Sequence, residues 1–192
     1  ERNGWRLTTY FKSSCPFTFE MVKARKGATP TCPEWSRQVL NALEEAKPDL
    51  IVISRFRSKI STPEGLRPFP IDLQVEMWEH LEKIAPVVAI ADSPEWEYTP
   101  TDCFTNRSLK CELPIQDVRA DDIQVSAVAV HPTVALLDLN DVICPEDLCR
   151  AIVGNVVVWR DKHHLSATFA TSLAGALDHR MQQILKREGS RP

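Results

Sequence analysis

Short runs of uninterrupted apolar residues constrain this chain more than any other feature. They read "LIVI" at 50–53, "VVAIA" at 87–91, "VALL" at 134–137 and "VVVW" at 156–159. None of them alternates polar with apolar side chains, as a half-solvated strand would. A strand buried on both faces needs such a run, and strands of that kind belong to parallel sheets covered by helices. Helical patterns separate them. "PEWSRQVLNALEEAKP" places Trp35, Val39, Leu40 and Leu43 on one face, with Pro33 near its start and Pro48 as its stop. "DLQVEMWEHLEKIAP" turns Leu73, Met77, Leu81 and Ile84 inward. "QDVRADDIQVSAVAVHP" predicts a shorter helix. Phe169, Leu173, Ala176, Leu177 and Met181 predict a last one. Strand and helix alternate, so the expected fold is α/β, a three-layer α/β/α sandwich around a parallel sheet.

The remaining segments complete the frame. "GWRLTTYF" alternates Trp5, Leu7, Thr9 and Phe11 with polar neighbours and predicts a first strand. Residues 55–72 and 93–114 read as long irregular loops, long enough to suspect a functional role. At 192 residues the chain fits a single domain, 1–192, able to bury a substantial core.

Composition excludes some functions. The net charge of −3, without a Lys/Arg cluster, gives no basis for a nucleic-acid partner. No apolar run approaches the roughly 20 residues that span a bilayer. No secretory leader is legible at the start, and no metal or cofactor is expected. The cysteines are Cys15, Cys32, Cys103, Cys111, Cys144 and Cys149. They group into sequence-local pairs in loop-like sequence, and only "CPEDLC" has a zinc-knuckle spacing, without a second knuckle to join it. Three short-range disulfides and an oxidising, extracytoplasmic compartment are the expectation; six thiols in a cytosolic protein are the alternative. Closing the Cys15–Cys32 loop stabilises by ~3 kcal/mol on chain entropy.

The chemistry concentrates in "RDKHHL", between the last apolar run and the last helix. Titratable groups at the C-terminal ends of strands are where open α/β sheets keep their sites. A general-base histidine needs a partner that fixes its tautomer, and Asp161, three residues before His164, can reach its Nδ1. The plainer reading of Asp161 is a helix N-cap. His163 is expected to point elsewhere, as a solvated or supporting residue. A metal held by Asp161, His163 and His164 is disfavoured because adjacent histidines rarely project to one ion. His80 and His179 are expected on the surface, and His131, before Pro132, as structural. Ser54 and Arg55 follow one strand and Asp92 another, so all three belong to the same rim. Arg55 either binds an anionic or acyl oxygen or pairs with Asp92. Ser13 and Ser14, pinned beside Cys15-Pro16, are read as structural.

Taken together, "GWRLTTYFKSSCPF", "CPEWSRQVLNALEEAKPDLIVIS", "VVAIADSPEWEYTPTDCF" and "ICPEDLCRAIVGNVVVWRDKHHLSATFA" resemble, in order and spacing, the SGNH (GDSL-like) domain at the C-terminus of acyltransferase-3 membrane proteins. The resemblance covers almost the whole chain. It implies a flavodoxin-like sandwich and a Ser-His-Asp triad in which Asp161 and His164 supply the acid and the base. That family's serine lies in a G-D-S-H block upstream, which these residues do not contain, so the expectation is a domain shortened at its N-terminus. The G-x-N-D block of broader SGNH hydrolases is replaced by "ISRF", leaving Ser54 or Arg55 as substitute oxyanion donors. The implied reaction is acyl transfer, commonly of acetyl, to a cell-envelope glycan, with the fused membrane domain as partner. A non-catalytic glycan-binding or docking module and a secreted carbohydrate esterase are the competing readings.

Overall fold

The computed structural model describes residues 4–13, 15–20, 31–55, 59–62, 65–118 and 121–188. The chain forms two compact units, Glu1–Ile51 with Ser58–Val87, and Val52–Arg57 with Val88–Pro192.

In the first unit, α1 (Cys32–Ala46) buries Cys32, Pro33, Ser36, Val39 and Leu40. The observed spacing follows the expected stripe. It ends where Lys47 turns left-handed at φ 48° and its N–H returns to the Leu43 carbonyl, which satisfies an orphan acceptor just before Pro48. Its first residue is tied back by the Cys15–Cys32 disulfide. Residues 55–72 are not one irregular loop. They contain an antiparallel hairpin, β2 (Lys59–Thr62) with β3 (Gly65–Pro68), paired from Lys59↔Pro68 to Thr62↔Gly65. Next, α2 (Ile71–Glu82) buries Gln74, Met77, Trp78 and Leu81. Spacing of three, four and seven along one helix keeps those side chains on one face. His80 is half-buried, its ring edge-on to Phe19 at 5.2 Å, rather than a surface group.

"GWRLTTYF" is not a strand: residues 4–11 have no regular structure, and Leu7 and Phe11 are more than four-fifths exposed. Alternation suits a sheet surface, but a strand exists only where a partner ladder accepts its backbone hydrogen bonds. Ser13 is exposed, and Ser14 lies outside the described residues.

The sheet runs in the order β1 (Ile51–Ser54), β4 (Val87–Ile90), β6 (Ala135–Leu137). β4 and β6 are parallel, in register from Val88↔Ala135 to Ile90↔Leu137. Val87, Val88 and Ala89 are all buried, as a run without alternation requires. The fold is α/β with a parallel sheet and helices, as expected. Segment 93–114 contains a single 3-10 turn at Pro100–Phe104 and then β5 (Glu112–Pro114). The helix expected over 116–132 divides into α3 (Ile115–Val118) and α4 (Ile123–Val130), because Asp122 caps the second by accepting the Gln124 N–H. After β6 come α5 (Asn140–Ile143) and β7 (Leu148–Arg150), which pairs antiparallel with β5.

The run "VVVW" is not a fourth parallel strand. Val156–Val157 (β9) pairs back on Ile152–Val153 (β8) across the two-residue turn Gly154-Asn155, with Gly154 at φ 58°. A Gly with positive φ suits a two-residue hairpin turn. Only its second half is buried, and for another reason: Val157 is 38% exposed, whereas Val158 and Trp159 are fully enclosed in a core with Trp96, Val118, Ile143, Cys144, Cys149, Phe169 and Leu173. The last helical stretch comprises α6 (Ala167–Ser172) and α7 (Ala174–Glu188), which burial of Phe169, Leu173 and Met181 anchors.

All three expected disulfides are closed: Cys15–Cys32, Cys103–Cys111 and Cys144–Cys149, with no free cysteine. Closed disulfides persist where thiols are not kept reduced. No described helix is long and apolar enough to cross a membrane.

Candidate active site

Asp161 and His164 do not sit at the mouth of a parallel strand. They lie in a closed turn. The Val158–Ser166 segment folds back on itself: Trp159 bridges antiparallel to Leu165, the Arg160 N–H donates to the His164 carbonyl at 2.8 Å, and the Ser166 N–H donates to the Val158 carbonyl at 2.8 Å. Asp161 is not the helix cap. Ser166 is, its Oγ accepting the Phe169 N–H at 3.2 Å.

Inside this turn Asp161 faces a convergence of donors. Its Oδ1 accepts the His163 N–H at 3.1 Å and the His164 N–H at 2.9 Å, and its Oδ2 is 2.7 Å from His164 Nδ1. The Arg160 guanidinium adds a 3.5 Å ion pair to Oδ2. Partial desolvation acts to raise the Asp161 pKa. The backbone N–H groups of His164 and His163, together with the His164 ring, outweigh it and hold the carboxyl well below the usual carboxylate range. Asp161 is therefore ionised and can only accept. His164 Nδ1 must then carry a proton toward Oδ2, which makes Nε2 the nitrogen that takes one up. The His164 side chain is 52% exposed and accessible to an incoming hydroxyl.

The turn is clamped by the start of segment 93–114, for which length alone suggested a functional role. After β4, Ser93 Oγ donates to the His163 carbonyl at 3.1 Å, the Trp96 N–H donates to the Lys162 carbonyl at 2.8 Å, and Lys162 Nζ donates to the Glu97 carbonyl at 2.5 Å. That segment is itself braced. The Asp92 N–H donates to Asp122 Oδ2 at 2.7 Å, and Asn140 Nδ2 donates to the Asp92 carbonyl at 3.0 Å. Gln124 Nε2 donates to the Ile90 carbonyl. Most of these bonds end on backbone carbonyls or amides, which leave no signature in residue type. The D-S-P step after "VVAIA" was the one hint.

His163 behaves otherwise than expected. Its ring does not diverge from that of His164: the centroids are 4.1 Å apart, and His163 Nδ1 lies 3.8 Å from Asp161 Oδ1. Ser54 is exposed at the end of β1, with Arg55 beside it; burial pushes the Arg55 guanidinium down to about 10, still a cation at neutral pH. The structure thus brings Asp161, His163 and His164 together in one turn; Ser54 ends β1 and Arg55 follows it. His131 closes α4, its N–H donating to the Ala127 carbonyl, and His179 is exposed beside Gln183.

Comparison with known proteins bears on the family and the fold. The family model described as the SGNH domain fused to AT3 domains matches residues 1–179. Among curated proteins none matches. A solved structure, the periplasmic domain of a lipopolysaccharide acetyltransferase from Salmonella ser. Paratyphi A, is similar in fold at a TM-score of 0.65 and 14% identity. The likeness covers 87% of this chain and 69% of that one.

Proposed function

Because this chain belongs to the family of SGNH domains fused to AT3 domains, we propose that it moves an acyl group onto hydroxyls of a cell-envelope glycan, on the extracytoplasmic side of the membrane. The 2.7 Å bond from His164 Nδ1 to the ionised Asp161 carries this reading. A serine supplied by polypeptide upstream of these residues attacks the acyl donor. His164 Nε2 takes the serine proton, and Asp161 stabilises the imidazolium that results. The donor's leaving group departs with that proton, and the acyl group stays on the serine oxygen. A glycan hydroxyl then attacks the acyl-enzyme. His164 accepts its proton and returns it to the serine as the new ester leaves. Ser54 and Arg55 are the candidate donors to the oxyanion.

Transfer in place of hydrolysis requires that water be kept from the acyl-enzyme. Segment 93–114 starts with residues bonded to the catalytic turn and is the candidate barrier. The description of the Salmonella domain as part of a lipopolysaccharide acetyltransferase supports acetyl as the group moved and a glycan as its acceptor. The disulfides favour the periplasm or the cell exterior. The fused AT3 membrane domain is the proposed partner.

The test uses the intact protein that carries this domain, with release of acetate from p-nitrophenyl acetate as the readout. His164→Ala abolishes release and His163→Ala keeps most of it. The reverse order would move the base to His163. Undiminished release in both variants would favour a docking module over a catalyst.

A further inference from the structure

The turn that holds Asp161 and His164 gathers a third donor that acyl transfer does not use. One ligand atom from each of Asp161, His163 and His164 lies within 4.8 Å of the other two. A tetrahedral ion bound at about 2.0–2.1 Å holds its ligands roughly 3.3 Å apart. The His163 Nδ1–Asp161 Oδ1 separation of 3.8 Å and the His164 Nδ1–Asp161 Oδ2 separation of 2.7 Å fall on either side of that value. Side-chain rotations close the difference. Ser93 and Trp96 hold the backbone of the turn in place from outside.

We propose that Asp161, His163 and His164 bind one transition-metal dication of the zinc class, and that the bound ion silences the His164 base. Two imidazoles and one carboxylate suit zinc, copper or nickel. Magnesium and calcium prefer an all-oxygen set. The three side chains are 37%, 20% and 52% exposed, so an ion reaches them from solvent and water completes its coordination. Ion and dyad compete for the same atoms. Nδ1 of His164 cannot donate to Oδ2 while its lone pair binds a metal, so occupancy removes the hydrogen bond that sets the tautomer. The ion is therefore an inhibitor rather than a cofactor, and His163 is the residue that makes inhibition possible. Binding rests on the placing of three donors alone. Only the inhibitory consequence rests on the proposed acyl transfer.

Titration of this chain with Zn²⁺ by calorimetry tests the site, with Mg²⁺ in parallel. One equivalent of Zn²⁺ binds and Mg²⁺ does not. His163→Ala removes a ligand and weakens Zn²⁺ binding by at least about a hundredfold, the most that loss of an outer-shell partner alone costs. Its far-UV circular dichroism matches the parent. Should His163→Ala fail to fold, His163→Gln repeats the measurement with a side chain of similar reach. In the intact protein, Zn²⁺ inhibits acetate release by the parent and not by His163→Ala. Zn²⁺ binding that survives removal of His163, equal binding of Mg²⁺, or no binding by the parent would each overturn the site. A Zn²⁺-binding chain whose intact protein releases no acetate would leave the site standing and refute the catalytic reading.

Discussion

Asp161→Asn separates the electrostatic role of this residue from its structural one. Asparagine keeps the shape of the carboxylate, and its Oδ1 can still accept the His163 and His164 N–H groups at 3.1 and 2.9 Å. Its Nδ2 then occupies the place of Oδ2, 2.7 Å from His164 Nδ1, where it can only donate. Nδ1 must become an acceptor, the ring proton moves to Nε2, and the nitrogen that should take the serine proton is already occupied. In a Ser-His-Asp triad the wrong tautomer lowers kcat by ~10⁴-fold, or about 5.4 kcal/mol of barrier at about 1.36 kcal/mol per decade. Stability should hardly change. The turn keeps its backbone bonds, and the charge lost is more than a third exposed, so its worth to folding is below about 1 kcal/mol. Acetate release by the intact protein and thermal melting of this chain measure the two effects. Activity within tenfold of the parent would refute the tautomer argument. A collapse of the melting transition would instead make Asp161 a structural cap.

Other outcomes follow from the same structure. Ser93→Ala removes the bond to the His163 carbonyl and costs about 0.5–1.5 kcal/mol, read as a fall in kcat of up to about tenfold with KM unchanged and recovery in Ser93→Thr. Replacing Cys144 and Cys149 together by serine opens a disulfide whose two ends are fully buried, and lowers stability by about 2–4 kcal/mol in denaturant titration. Because the Asp161 carboxyl is held below its usual range when folded, its contribution to stability is full above that range. It is lost as the pH falls below about 4, visible as a melting temperature that drops there in the parent and stays flatter in Asp161→Asn.

Which parts of this molecule could be foreseen follows from how locally each is encoded. β4, with α1 and α2, was legible because burial on both faces or on one stripe leaves a mark, and β1 and β6 were legible from their apolar runs, although Val52 in β1 is 43% exposed. "VVVW" left a similar mark for a different reason, since a run whose end, Val158-Trp159, enters a packed core looks the same in sequence as a sheet strand. The Gly154-Asn155 turn just before this run was the sign that it folds back. Asp122 likewise announced the start of α4, where one longer helix was expected. "GWRLTTYF" shows the limit of alternation, which describes a surface a strand could use and not whether a partner strand pairs with it. At the site, Asp161 and His164 were legible from three-residue spacing. The approach of His163 was not, because adjacent residues diverge on a regular strand or helix, and a closed turn lifts that restriction.

The closed turn at 158–166 has a consequence for how the proposed base, His164, and its carboxylate partner come together. Their separation along the chain is three residues, and the Trp159–Leu165 bridge spans only six. Little loop entropy is lost in bringing such neighbours together, unlike the meeting of groups drawn from distant strands. The aligned pair can thus form early in folding, and outlast damage to remote parts of the molecule that would scatter a site assembled from far-flung residues.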